Sequence, residues 1–225
     1  MSRAIPPPRD LRELASRARA LAGRTLADVA AEHALPFEGR TGVRTKGKTG
    51  QLLERILGAT GGAAAVHDFP ELGVELKTIP VDCDLRPLES TYVCTLPLGD
   101  AERAEWSTSW VRAKLGRVLW LPIVLAAENR DASIGAPVFW QATAPQMDVL
   151  AGDFAEILGL VTLGGIERLT ARTGRWLHVR PKAASSRERT WSVGADNGWV
   201  STVPRGFYLR TRFTGSLLRD PTAVP

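Results

Sequence analysis

The apolar positions of this chain recur at two different periods, and the change of period divides it into elements. Leu11, Leu14, Ala15, Ala18 and Leu21 form a stripe at helical spacing behind Asp10, which predicts a helix capped by Asp10 and ending near Gly23. A second, shorter helix is expected from about Leu26 to His33. A third runs from Thr49 or Gly50 to Leu57, with Leu52, Leu53, Ile56 and Leu57 on one face and Glu54 on the other. The period then shortens. Over residues 72–81, Val74, Leu76 and Ile79 alternate with Glu75 and Lys77, and over 89–96, Thr91, Val93 and Thr95 alternate with Tyr92, Cys94 and Leu96. Two such runs around the turn at 82–87 predict a hairpin with a longer loop.

Helical spacing returns from Trp106 to Lys114, with Ser107 or Thr108 as the cap, and again from Gln146 to Leu163. Between them lie an apolar strand, Val118 to Val124, interrupted by Pro122, and a short strand from Val138 to Gln141. Another short element is expected at Ile166 to Thr173. Arg175 to Arg180 and Pro204 to Arg210 read as strands, and Arg212 to Arg219 as a final helix. Residues 184–203, rich in Ser, Arg, Gly and Asn and holding Trp191 and Trp199, read as a long loop or a loose hairpin. Helix-rich ends around a central strand cluster give an α/β architecture with a mixed sheet flanked by helices.

Composition narrows the class. The 225 residues suit one domain or two closely associated lobes, and 44% apolar residues with seven Trp argue for a packed globule. A net charge of +5 with a pI near 9.7 permits a polyanionic partner. The two cysteines, Cys83 and Cys94, read as buried reduced thiols, and three dispersed histidines (His33, His67, His178) argue against a zinc centre. No apolar run reaches the roughly 18 residues that span a membrane, and no signal-peptide core precedes the first helix, so a cytoplasmic location and no membrane partner are expected.

The chemistry is concentrated in His67 to Asp82. On a strand, Glu75 and Lys77 share one face, and Asp68 can return to the same place from a neighbouring turn. Two neighbouring carboxylates repel unless a cation sits between them, and their hard oxygens suit Mg²⁺. A lysine beside that ion can orient or deprotonate a water, which is a constellation for cutting phosphodiesters. Taken alone, Asp-x6-Glu-x-Lys recurs by chance in many chains, and a Glu-x-Lys on a strand is more often a solvated face. The segment from Glu38 to Gly50 interleaves Gly39, Gly42, Gly47 and Gly50 with Arg40, Arg44, Lys46 and Lys48. It reads equally as a solvated linker or as a loop whose backbone approaches phosphates.

Longer blocks decide between these readings. Gly-Gln-Leu-Leu-Glu-Arg-Ile-Leu-Gly-Ala (50–59), Asp-Phe-Pro-Glu-Leu-Gly-Val-Glu-Leu-Lys-Thr-Ile-Pro-Val-Asp (68–82) and Arg-Pro-Leu-Glu-Ser-Thr-Tyr-Val-Cys (86–94) resemble the MutH family of mismatch-repair endonucleases, in the restriction-endonuclease-like PD-(D/E)xK superfamily. So do Trp106 with 111–120, Leu-Thr-Ala-Arg-Thr-Gly (169–174), Val-Arg-Pro-Lys-Ala-Ala (179–184) and Pro-Arg-Gly-Phe-Tyr-Leu (204–209), in the family's order and spacing. The resemblance implies a restriction-endonuclease-like fold of two lobes forming a DNA-binding cleft, a catalytic lobe of about 1–105 and a recognition lobe of about 106–225. It also implies Mg²⁺-dependent nicking 5′ to the G of the unmethylated strand of hemimethylated GATC, by a monomer that MutL activates.

By match to the family's motifs, Asp68 and Glu75 bind the metal with the carbonyl of Leu76, Lys77 serves the attacking water, Glu54 assists, and Lys114 contacts the scissile phosphate. Lys46 in the basic loop, Arg180, Lys182 and Tyr208 match positions of DNA binding or recognition, Tyr208 near the adenine methyl position, and Lys48 of the same basic loop is a further candidate for DNA contact. Tyr92 stands where the family has phenylalanine, and 185–203 diverges. Two other readings are a GATC-cutting restriction endonuclease, which would need a dimer or a second catalytic lobe, and a non-catalytic DNA-binding module.

Overall fold

The computed structural model describes residues 5–37, 47–62, 66–126, 131–170, 172–183, 185 and 187–220. Lys46 and most of the glycine-rich basic segment lie outside them. The chain forms two compact units, and they are not consecutive halves. One gathers the described residues up to Glu89 with Arg117–Gln141 and the stretch from Gly215; the other is Ser90–Gly116 with Ala142–Thr214. A single cut near residue 105 does not reproduce this partition. The reason is topological: the strand after residue 116 pairs parallel with one before residue 82, and parallel neighbours need a long crossover between them.

The first unit is a mixed sheet covered by three helices. Helix α1 (Leu11–Leu21) starts on Asp10, whose carboxylate accepts the Glu13 amide, and α2 (Leu26–Glu32) starts on Thr25. Helix α3 (Lys48–Leu57) ends at Gly58, whose φ of 80° is the left-handed turn that glycine adopts most readily. A side chain at Gly58 would also meet the carbonyl of Pro6, 2.4 Å from the Cβ position. Strand β3 (Arg117–Val124) is central. It pairs in parallel with β1 (Glu75–Val81) on one edge and antiparallel with β4 (Ser133–Ile134) and β5 (Val138–Gln141) on the other. Pro122, which lacks an amide hydrogen, falls in the gap between the β5 and β4 pairings, where the ladder has no donor to lose. Leu76, Leu119, Leu121 and Ile123 pack under Leu52, Leu53, Ile56 and Leu57 of α3 and under α1 and α2. Burying this face is what holds the helices down.

The second unit is an antiparallel sheet, β2 (Thr91–Thr95), β9 (Arg205–Leu209) and β6 (Leu177–Pro181), in the order β2-β9-β6. Helix α5 (Ala144–Thr162) lies against it, begun by a capping box between Thr143 and Gln146, and the Phe154 ring stacks 5.5 Å from Phe207. Helix α4 (Trp110–Gly116) packs on α5 and β2. Its amide at Arg112 is capped by Ser109, beyond Ser107 and Thr108, because Trp106–Thr108 is a separate 3-10 turn. A two-stranded ribbon, β7 (Thr190–Val193) and β8 (Trp199–Thr202), leaves the sheet between β6 and β9. Helix α6 (Thr211–Arg219) follows β9.

Three expectations are corrected. The strands at 72–81 and 89–96 do not form a hairpin. After one bridge between Val81 and Pro87, β1 takes the wholly apolar β3 as its partner and β2 takes β9. Strand β1 begins at Glu75, because Pro70–Leu72 is a 3-10 turn closed by Gly73 at a φ of 59°. Cys83 is exposed in the turn after β1, although both cysteines are free thiols as expected. No helix among the described residues is long and apolar enough to cross a membrane.

Candidate active site and nucleic-acid surface

Asp68 is carried to β1 by a tight local fold. Phe69 and Val74 exchange backbone hydrogen bonds at 3.0 and 3.3 Å around the Pro70–Leu72 turn, so the chain doubles back. The Asp68 carboxylate then accepts the Leu76 amide at 2.7 Å. From the other side, the amides of Thr60 and Gly61 donate to the Asp68 carbonyl at 3.0 and 3.1 Å. Gly61 must be glycine, since a Cβ there would lie 2.1 Å from the His67 carbonyl oxygen. Backbone therefore fixes Asp68 on both sides, a loop residue held with the precision of a strand.

Glu75 and Lys77 share one face of β1, and the Lys77 ammonium donates to Glu75 Oε1 at 2.7 Å. Neither side chain is a solvated surface group: the Glu75 side chain is 2% exposed and the Lys77 side chain 13%. Burying such a pair costs several kcal/mol of desolvation per ion, and apolar residues of like volume are often as stable. Stability alone therefore gives no reason to keep it. Leu76, between them, turns its side chain into the apolar core under α3. Glu54 approaches β1 from α3. The Cβ position of Gly50 lies 3.8 Å from both Glu54 Oε1 and Thr78 Oγ1, which places this carboxylate near the residue after Lys77.

Among the described residues, no three His, Cys, Asp or Glu side chains cluster as a metal cage, so Glu54 does not join Asp68 and Glu75 in one. What the site offers is two carboxylates and backbone carbonyls. This all-oxygen set fits Mg²⁺, which keeps several waters and is held by one or two carboxylates together with substrate phosphates.

The second unit gathers the remaining candidates. In the β2-β9-β6 register Tyr92 pairs with Tyr208, His178 with Tyr208, and Arg180 with Gly206, so these side chains share the face turned away from Phe207 and α5. The two tyrosine rings meet edge to face at 5.3 Å. The Tyr92 ring lies over Gly206, where a Cβ would stand 2.8 Å from Cε2, and a bulge between Tyr92 and Cys94 aims it there. Lys182 holds its ammonium 4.6 Å above the Tyr92 ring. Arg180 and Lys182 are exposed. His178 escaped the sequence reading as a site residue. Its signal was its place two residues before Arg180 in an alternating strand. Its ring lies 6.3 Å from Tyr208, and Nε2 shares a hydrogen bond with Ser90 Oγ at 3.0 Å. Burial, with the charges of Arg210 and Arg180, lowers its pKa to about 4, so it is neutral at neutral pH.

Lys114 lies half-buried in the last turn of α4, and Lys48 is exposed at the first turn of α3. The structure thus brings Asp68, Glu75, Leu76 and Lys77 together, with Glu54 near, in one unit. It brings Tyr92, Arg180, Lys182 and Tyr208 together in the other.

Residues 57–153 match the family described as DNA mismatch repair enzyme MutH. Over 223 residues the chain is 46% identical to the DNA mismatch repair protein MutH of Shewanella baltica (strain OS185), covering 97% of this chain and 98% of that protein. It is 44% identical over 220 residues to the DNA mismatch repair protein MutH of Serratia proteamaculans (strain 568), covering 95% and 94%. This chain belongs to the MutH family. Its fold is accordingly restriction-endonuclease-like. The matched MutH segment contains Asp68, Glu75, Lys77, Tyr92 and Lys114, while similarity to the full-length MutH relatives extends to the strands that carry Arg180, Lys182 and Tyr208.

Proposed function

We propose that the protein is a Mg²⁺-dependent DNA endonuclease of mismatch repair. It nicks the unmethylated strand of hemimethylated GATC 5′ to the G, acting as a cytoplasmic monomer that MutL activates. The observation that carries this reading is the Glu75–Lys77 ion pair, its carboxylate buried and its ammonium partly buried, beside Asp68 in a MutH-family chain. Asp68, Glu75 and the carbonyl of Leu76 would hold the ion. When bound, Mg²⁺ neutralises charge building on the phosphate and acidifies a bound water.

The protein's own residues do the rest. Asp68 and Glu75 supply negative charge at fixed positions, so no side chain has to reorganise as the reaction proceeds. Lys77, anchored on Glu75, presents N–H donors that orient the attacking water. Glu54 assists from α3 through the segment next to Lys77. Lys114 is assigned to the scissile phosphate. Arg180, Lys182, Lys48 and Lys46 contact the DNA backbone, which positions the duplex without reading it. Tyr208, buttressed by Tyr92 and the neutral His178, packs at adenine N6 in the major groove, where one added methyl would clash.

A supercoiled plasmid with one hemimethylated GATC tests the assignment. Open circles confined to the unmethylated strand are expected with Mg²⁺. Linear product would favour a double-strand restriction enzyme, and equal cutting of unmethylated and fully methylated sites would sink the discrimination. Asp68→Ala should abolish nicking while DNA binding persists. If it still nicks, the metal site is elsewhere.

A further inference from the structure

The β7–β8 ribbon exposes two large indoles. Trp191 and Trp199 are 59% and 61% exposed, whereas Trp120, Trp140 and Trp176 are buried. The register sets Trp191 opposite Ser201 and Val193 opposite Trp199, so the two indoles are diagonal neighbours on one ribbon face. The opposite face carries Ser192 and Thr202, both buried. It is clamped to the end of α5: a Cβ on Gly164 would stand 2.2 Å from the Gly194 carbonyl oxygen. The turn is closed by Gly194 and Gly198 at 2.7 Å, with Asn197 at a φ of 62°. The indoles are therefore held outward by an ordered ribbon, and their burial free energy is forgone.

The β2-β9-β6 sheet packs Phe207 on Phe154 of α5 and turns Tyr92, His178, Arg180 and Tyr208 away from it. The ribbon is continuous with that sheet, β7 following β6 and β8 leading into β9. The neck joining sheet and ribbon is fixed by the Lys182 amide donating to the Pro204 carbonyl at 2.7 Å. Between residues 180 and 203 four cationic side chains (Arg180, Lys182, Arg187, Arg189) face two acidic ones (Glu188, Asp196). Arg187 and Arg189, which shortly precede Trp191 in the sequence, are exposed.

We propose that this ribbon face is a second DNA contact, gripping duplex outside the recognition sequence, with the indoles against sugar and base edges and Arg187 and Arg189 on phosphates. The proposal rests on the DNA-nicking reading above. Duplex DNA is the occupant because the surface is cationic around an aromatic centre and continues from the strand that carries Arg180 and Lys182. An indole offers an apolar face and one N–H donor, which suits a groove whose floor presents acceptors. The indole part of this contact adds affinity without adding phosphate neutralisation, which Arg187 and Arg189 supply.

The test uses the full chain, a salt series, and hemimethylated GATC duplexes of about 12 and about 30 base pairs, roughly one and three helical turns. Wild type should bind the longer duplex more tightly. The double variant Trp191→Ala/Trp199→Ala should lose about tenfold on the long duplex and less than about twofold on the short one, with an unchanged slope of log K against log salt. Trp191→Tyr/Trp199→Tyr should restore most of the loss. Arg187→Ala/Arg189→Ala should flatten the slope. The proposal is overturned by a variant that binds the long duplex like wild type, including one that has lost only stimulation by a protein partner. It is also overturned by an equal loss on both duplexes with a lowered Tm, which marks a structural role. A wild-type protein that neither binds nor nicks either duplex refutes the underlying nuclease reading instead.

Discussion

At the scale of single residues, Glu75 and Lys77 form an ion pair whose carboxylate is buried and whose ammonium is partly buried. Removing one partner leaves the other charged group buried and unpaired, which costs about 3–5 kcal/mol, whereas replacing both by apolar residues is often neutral. Urea unfolding should therefore show Glu75→Ala and Lys77→Met each destabilised by about that amount, and Glu75→Leu/Lys77→Met close to wild type. All three should fail to nick. A double variant as unstable as the sum of the singles would show that the pair holds the sheet together. His178 gives a pH signature. Its folded pKa of about 4 lies below its ordinary value of 6.5, so the unfolded chain binds a proton over that interval and the folded one does not. Its contribution is intact above the ordinary value and is progressively lost as pH falls towards about 4, below which the loss is complete. Melting curves between these pH values should fall less steeply for His178→Gln than for wild type.

At the scale of elements, one buried carboxylate begins the strand that carries Arg180. Asp153 of α5 accepts the amides of Arg175, Trp176 and Leu177 at 2.6, 2.7 and 2.8 Å. Arg210 completes this corner, donating to the carbonyls of Thr173 and Gly174 at 2.6 and 2.9 Å. Asp153→Ala leaves several amides without their acceptor in a buried place. It should destabilise by about 3 kcal/mol and weaken DNA binding while leaving the first unit's chemistry intact. Chemical denaturation with a DNA-binding assay reads both, and unchanged stability would show that water replaces the carboxylate. The loop behind Asp68 makes the matching case in the first unit. Gly61→Ala drives a Cβ into the His67 carbonyl, so nicking should fall at least tenfold, with DNA affinity held.

At the scale of the whole molecule, the residues proposed to hold the metal (Asp68, Glu75) and those proposed to read the DNA (Arg180, Lys182, Tyr208) lie in different units, and nicking and binding should come apart experimentally. Chelating Mg²⁺ with EDTA should abolish nicking and leave sequence-independent binding in place, because the cationic contacts do not depend on the metal. In a chain of net charge +5, that residual binding should weaken steeply as salt rises. Gel-shift and plasmid assays on one preparation check both, and binding that is lost together with nicking would place the metal in the DNA contact itself.

Local pattern alone was enough for α1, α3 and α5, because stripe, cap and stop lie within one stretch of sequence. It was also enough to put Glu75 and Lys77 on one face, because alternation is a property of any strand. It could not find the partners of β1 and β2. Strand pairing is decided by which distant apolar run buries the edge best, and β3 outcompeted the neighbour that sequence proximity favoured. Nor could it show that Glu75 is buried and Lys77 partly so, since an exposed Glu-x-Lys has the same letters. The tertiary structure decided that, by folding Asp68 back onto the Leu76 amide, and it decided that His178 stands against Tyr208 and that two tryptophans stand outward on a clamped ribbon. Residue type and period are carried by neighbours along the chain, whereas burial and pairing depend on what comes to lie across from each residue in space.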